Sequence, residues 1–289
     1  MKESLSFRWF KRFIYFFMGI VAFICLVPMI NILSLSLSDS NEVAKGIVNL
    51  LPVGLNFDSY TVILKENAFI KAFLVSVFRV VGATSLSVAV TVMMAYPLSK
   101  SSLIMPGRNI LMWMLIFAML FSGGLVPSYM LIKNLGLLNN YLVLILPGIL
   151  QLFNVILIMN FIRMLPKECE EAAIIDGAGY WQLLLNVILP LCVPSIATVT
   201  LFTIVGNWNE YFSGIIYLDI GKYPLQTYLY SMSVNRDINN LEQALLFARV
   251  SDKTLLSAQI FVALVPILVL YPALQQYFVK GITLGAVKG

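Results

Sequence analysis

The groups able to carry charge or move a proton are few in this sequence, and they gather in one place. Lys167, Glu168, Glu170, Glu171 and Asp176 fall within ten residues, inside MLPKECEEAAIIDGAGYWQLLLNVILPLCVP, Met164 to Pro194, with strongly apolar sequence on both sides. Carboxylates facing a shared cavity can do general acid–base work. Acids in the first turn of a helix instead complement its dipole and give it a charged tip. Glu210 is the one acid inside an apolar stretch long enough to span a bilayer, which leaves no paired acids for a membrane-embedded transferase or hydrolase. The chain has no histidine, so Ser-His-Asp and Cys-His nucleophiles and His-based metal sites are excluded. Cys25, Cys169 and Cys192 are far apart with no CxxC spacing, and neither a metal site nor a disulfide framework is expected. There is no GxxxxGK[ST] loop, so the chain is not expected to hydrolyse a nucleotide by itself.

The elements that position this cluster belong in lipid. Of 289 residues, 60% are hydrophobic and 11% charged, with a mean hydropathy of +0.90. A soluble domain carries about a quarter charged residues. The net charge of +5 is not clustered, which argues against nucleic-acid binding. Six stretches reach the roughly 20 residues that cross a bilayer, near 13–37, 69–98, 110–131, 141–165, 187–211 and 255–279. The chain is therefore expected to be an all-α membrane protein forming a single domain over 1–289. The first stretch is too long for a signal peptide and has no clear cleavage site. Lys2, Arg8, Lys11, Arg12, Lys100, Arg108, Lys280 and Lys288 lie in short basic segments, which the positive-inside rule places in the cytoplasm together with both termini. The acidic hairpin then faces the cell interior, and the longer segments 38–68 and 212–254 face outward. Gly123, Gly124 and Pro127 fall in the third span, and Pro147, Pro266 and Pro272 are expected to interrupt others. Such breaks line cavities in transporters and also occur as plain packing kinks.

Within the hairpin, 166–186, Pro166 suits the first helical position, and Ala172 and Ala173 keep the helix thin and strongly helix-forming. Gly177 and Gly179 supply a stop and a corner, after which an apolar helix restarts and is broken at Pro190. A short acid-tipped helix joined by a corner to a spanning segment could dock on a soluble partner and convey its movement. A solvated interfacial hairpin is the alternative.

The order of residues resembles the signature of permease subunits of binding-protein-dependent ABC importers: Glu-Ala-Ala, three residues, Gly, nine residues, Ile-x-Leu-Pro. Here these are Glu171, Ala172 and Ala173, then Gly177, then Val187, Leu189 and Pro190, with Val in the Ile position. Asp176 to Ala178, the GGLVPSYMLIKNLGLLNNYLVLILPG and GNWNEYF segments, and the ending GITLGAVKG resemble the carbohydrate branch, MalG-like and of the kind found in Gram-positive bacteria. The resemblance implies a type I importer permease fold with a cytoplasmic coupling helix, in a bacterial cell membrane. It implies a second, MalF-like permease, two copies of a cytoplasmic ATPase holding ATP and Mg, an extracellular solute-binding lipoprotein and a sugar substrate. No cofactor is bound by the chain itself. ATPase-coupling residues would be Glu171, Ala172, Ala173, Asp176, Gly177, Leu189 and Pro190. The tail, with Gly281, Gly285 and Lys288, would run extended between the ATPases. A permease for peptides or another polar solute shares the hairpin signature.

Polar groups inside spans are candidates for a substrate path. Gln151 and Asn154 share a helix face, and Asn207, Trp208, Asn209, Glu210 and Tyr211 close the fifth span. Trp208 and Tyr211 offer flat faces to sugar rings, or else belong to an interfacial aromatic belt. Arg79, in the second span, is expected to snorkel or to pair with an acid.

Overall fold

The computed structural model describes residues 5–234 and 252–286, and among these there are helices and turns but no strand. In chain order the helices are α1 Leu5–Ser36, α2 Ser40–Ala44, α3 Asp58–Lys65, α4 Asn67–Ser99, α5 Arg108–Leu120 and α6 Leu125–Asn134. Short 3-10 turns over Tyr141–Gly148 lead to α7 Leu152–Met164, α8 Lys167–Ile175, α9 Tyr180–Leu191 and α10 Val193–Asn209. α11 Phe212–Tyr217, α12 Leu225–Val234 and α13 Asp252–Ala286 complete the set.

Three helices are individually long and apolar enough to cross a membrane, over Phe7–Ser36, Asn67–Ser99 and Lys253–Pro272. The other three expected spans are broken. α5 and α6 meet at 112°. The break falls where Gly124, at φ +88°, starts α6 in a conformation that L side chains rarely adopt. Pro127 then sits in the first turn of α6, where no N–H is needed. The turns at Tyr141–Gly148 and α7 meet at 45°, beside Pro147. α9 and α10 meet at 79°, at Cys192 between Pro190 and Pro194. The fifth stretch therefore begins earlier than 187, at Tyr180, and is two rods rather than one. Pro266 and Pro272, by contrast, do not interrupt α13, which continues through both.

The chain groups into two compact units, Met1–Ile70 with Ser231–Pro266, and Lys71–Tyr230 with Ile267–Gly289. In the first, α1 leads into an ordered connection. Ser36 Oγ and Tyr60 Oη lie 2.7 Å apart, the Asp39 N–H donates to Val53 O at 3.0 Å, and Leu35, Val43 and Val48 form a small core. In the same unit Gln259 Nε2 donates to Glu66 Oε2 at 3.2 Å. The core of the second unit joins α4, α7, α9 and α10. On α7 the buried residues Val155, Ile158, Met159 and Ile162 recur at i, i+3, i+4 and i+7, one face of a 3.6-residue helix. They pack with Val92, Ala95, Tyr96 and Leu98 of α4, and with Leu183, Leu184, Ile188 and Val199. Since lipid is as apolar as these side chains, such faces hold by close packing rather than by leaving water.

Close packing is most exacting at Gly214 of α11. A Cβ there would stand 2.2 Å from Thr227 Oγ1, whose hydroxyl donates to Tyr211 O at 2.7 Å. Gly214→Ala is expected to cost about 1–3 kcal/mol by overpacking, read as a lower Tm of the detergent-purified protein. Gly221→Ala, where nothing lies within 4 Å of the added carbon, should leave Tm nearly unchanged.

Candidate functional site

The acidic hairpin is built as two helices sharing a closed corner. Pro166 lies just outside α8 as its N-cap, one position earlier than the sequence suggested, and Glu168 and Glu170 occupy the first turn. The helix ends at Asp176, and Gly177 follows at φ +83°. Gly177 N–H donates to Ile174 O at 3.0 Å and Ala178 N–H to Ala173 O at 2.9 Å, the paired bonds of a Schellman motif. Across the corner, the Gly179 N–H donates to the Gln182 side-chain oxygen at 3.0 Å, and the Leu183 N–H to Gly179 O at 2.9 Å. The Ala173 and Ile174 carbonyls near the end of α8 and the Gly179 amide ahead of α9 are thus satisfied within the hairpin itself. α9 then widens into π turns over Leu183–Ile188, ahead of Pro190, whose missing N–H would interrupt an α-helical ladder.

The two faces of α8 differ. On the inner face Glu170 pairs with Lys100, just past the end of α4. Lys100 is only 9% exposed, and its ammonium stands 4.5 Å above the Tyr96 ring. The same end of α4 is held by two guanidinium groups. Arg163 Nη2 donates to Leu98 O at 3.0 Å and its Nε to Ser99 O at 3.3 Å, while Arg108 Nε donates to Leu98 O at 2.8 Å. A recess of about 360 Å³, lined by Lys100, Ile104, Arg163, Glu170 and Ile174 among others, lies between these elements. Ala173 and Leu189 pack against the core. On the outer face Glu171, Ala172, Asp176 and Gly177 are exposed, as is Pro190. Ile174 and Ile175 stand in the open at 54% and 85%.

Sequence reasoning passed over the two isoleucines and the Lys100–Glu170 tie, whose partners are 70 residues apart. Nothing in local spacing joins those two. Ile174 and Ile175 could have been found by asking which side chains a thin, acid-tipped helix leaves uncovered.

The residues expected along a substrate path fall in two groups. Asn154 is buried and donates to Gln151 Oε1 at 2.7 Å and to Thr203 Oγ1 at 3.2 Å, so these amides serve to join helices. Trp208 is likewise no open face: it is 5% exposed and its ring meets Phe73 edge-on at 5.8 Å. The packing partner on α4 turns that ring inward, whereas sequence reasoning had given it to sugar or an aromatic belt. Asn207 is part-buried and donates to Thr203 O at 2.9 Å, and Asn209 is exposed. Glu210 pairs with Arg79, the acid partner expected for that arginine. Tyr211 is 40% exposed and stacks on Tyr230 at 4.7 Å.

At the tail, Gly281 and Gly285 lie within α13, which is helical to Ala286, so the extended run expected there is a helix. The apolar sequence around them prolongs the helix despite about 1 kcal/mol for each glycine. Lys288 lies outside the described residues. Among the described residues there is no group of three or more Cys, Asp or Glu placed to hold a metal ion.

Broken helices able to span a membrane, together with a charged, tightly capped hairpin, fit a transport permease. Residues 102–284 match the family described as binding-protein-dependent transport system inner membrane component. The chain belongs to that family and is a membrane protein with the type I importer permease fold. It is 38% identical to the polygalacturonan/rhamnogalacturonan transport system permease protein YtcP of Bacillus subtilis, over 98% of this chain and 99% of that one. It is 29% identical to the arabinooligosaccharides transport system permease protein AraQ of Halalkalibacterium halodurans, over 93% of each. Its fold matches, at a TM-score of 0.87 and 33% identity, a chain of a bacterial ABC transporter that imports the acidic polysaccharide alginate, covering 96% of this chain and 99% of that one.

Two substitutions test the hairpin as a folded object. Gly177→Ala has open space for its methyl, so its cost is conformational, about 1–2 kcal/mol for the left-handed backbone. Gly177→Asn should cost less, with thermal unfolding in detergent as the measure. Lys100→Met should lower stability by about 1–3 kcal/mol by orphaning Glu170, and Lys100→Met with Glu170→Met should recover part of that loss.

Proposed function

We propose that this chain is one permease half of an ATP-driven importer that moves oligosaccharides across a bacterial cell membrane. In this reading both termini and the hairpin face the cytoplasm. A second permease completes the pathway, two copies of a cytoplasmic ATPase bind ATP and Mg, and a solute-binding lipoprotein delivers the sugar from outside. The chain makes and breaks no bond itself. Its family membership and its likeness to permeases named for polygalacturonan/rhamnogalacturonan and arabinooligosaccharides, and to a chain of an alginate-importing ABC transporter, support the carbohydrate assignment.

The single observation that carries the mechanism is the outer face of α8. Ala172, Ile175 and Asp176 are uncovered, with Glu171 and Ile174 exposed at the edge of the recess beside Lys100, on a short helix that is tied to α4 and whose corner is closed onto α9. Exposed apolar residues beside acids suit a cleft on a soluble, partly basic partner. When nucleotide draws the ATPases together, α8 follows, and its ties pass the displacement to α4 through Lys100 and to α9 through the Gly177–Gly179 corner. Gly177 at the tip adds no side chain, which lets the partner approach closely. The spans then open alternately to the two sides, and hydrolysis resets them.

Glu171→Lys should reduce uptake by the reconstituted importer to background while the protein still reaches the membrane. Normal uptake at normal expression would remove the hairpin from the coupling route.

A further inference from the structure

Arg79 is a costly residue in its position. It lies within α4, a helix able to span the membrane, and it is 5% exposed. Charges there are matched by partners or used. The match here is partial. Arg79 Nη2 pairs with the Glu210 carboxylate and Nη1 donates to Glu210 O at 3.0 Å, yet the buried Nε has no partner. A guanidinium is built to hold a carboxylate with two parallel N–H groups. Glu210 does not engage it that way.

Glu210 has its own support. Its Oε1 accepts from the Ser213 N–H at 2.8 Å and its Oε2 from the Ser213 hydroxyl at 2.5 Å. Its side chain is 33% exposed against 6% for Arg79, so the acid covers the cation on the accessible side and stays hydrogen-bonded when the cation is taken over by another anion. The next residue, Tyr211, stacks on Tyr230, and the two residues are 40% and 44% exposed. Flat aromatic surface beside a fixed charge is the make-up of a site that holds a ring and orients one polar substituent.

We propose that Arg79, with the Tyr211–Tyr230 pair, recognises a sugar carboxylate, so that the cargo is an oligosaccharide containing uronate residues. The uronate carboxylate replaces the Glu210 side chain on Arg79 and takes the unused Nε as well, while Glu210 keeps its bonds to Ser213 and the sugar ring lies against the tyrosines. This rests on the importer reading above and adds the chemical class of its substrate.

The test uses the complete importer in proteoliposomes, with trigalacturonate and its carboxyl-reduced, neutral counterpart as cargoes at saturating binding protein. The wild type is expected to import trigalacturonate. Arg79→Gln combined with Glu210→Gln removes both charges and so avoids stranding either. This double variant is expected to lose tenfold or more of trigalacturonate uptake, with binding-protein-stimulated ATP hydrolysis retained. Wild-type uptake by the double variant would show that Arg79 merely balances Glu210 and would overturn the proposal. Import of the neutral trimer but not trigalacturonate by the wild type would also overturn it, leaving the importer reading intact. Import of neither, nor of any other oligosaccharide, would remove both.

Discussion

Lipid offers a polypeptide no hydrogen bonds, so a chain of this composition must close every backbone donor and acceptor on itself. That constraint shapes the hairpin more than its charges do. Where α4 ends, its carbonyls go to Arg108 and Arg163. Where α8 ends, its carbonyls go to the Gly177 and Ala178 amides, and where α9 begins, the first amide goes to Gln182. Each helix terminus is thereby fixed to the element beside it. A corner cross-tied by the Gly177, Ala178 and Gly179 amides has little slack to give up.

Rigidity is what a mechanical role needs. The Lys100–Glu170 pair and the capped corner give α8 two separate attachments, one to α4 and one to α9. A single hinge would let the short helix swivel, whereas two attachments oblige it to carry both helices along. The other spans are divided by bends of 112°, 45° and 79°. Transporters built from broken helices move segments about such points while the segments stay intact.

Much of this was legible in the sequence because the information was local. The acids at Glu168 to Glu171, the thin alanine face and the glycine at 177 each act within a turn or two of themselves, and the helix they define is the one observed. Gly123 and Gly124 likewise marked a true break. Proline was less dependable. Pro190 and Pro194 flank a sharp bend, yet Pro266 and Pro272 pass through an unbroken helix, since neighbouring groups decide whether a freed carbonyl is tolerated. The features that escaped all depend on distant residues. Lys100 read as a marker of membrane orientation until Glu170 was found beside it. Trp208 read as a flat face for sugar or as part of an interfacial aromatic belt, but its ring packs edge-on against Phe73 and is buried. Arg79 was expected to snorkel or to pair with an acid, but nothing local named Glu210, 131 residues away, as that acid.

The rigid-hairpin claim is most directly tested by spin-label distances in the assembled importer, with the exposed Cys25 and Cys169 replaced. Labels at Ile175 and Leu191 report on α8 against the far end of α9. Labels at Ile175 and Ile220 report on α8 against the loop beyond α11. Moving from the nucleotide-free to the ATP-bound state should leave the 175–191 distribution narrow and unshifted while the 175–220 distance changes. A 175–191 distance that shifts or broadens with nucleotide, beside a constant 175–220 distance, would mean that the corner flexes and transmits nothing.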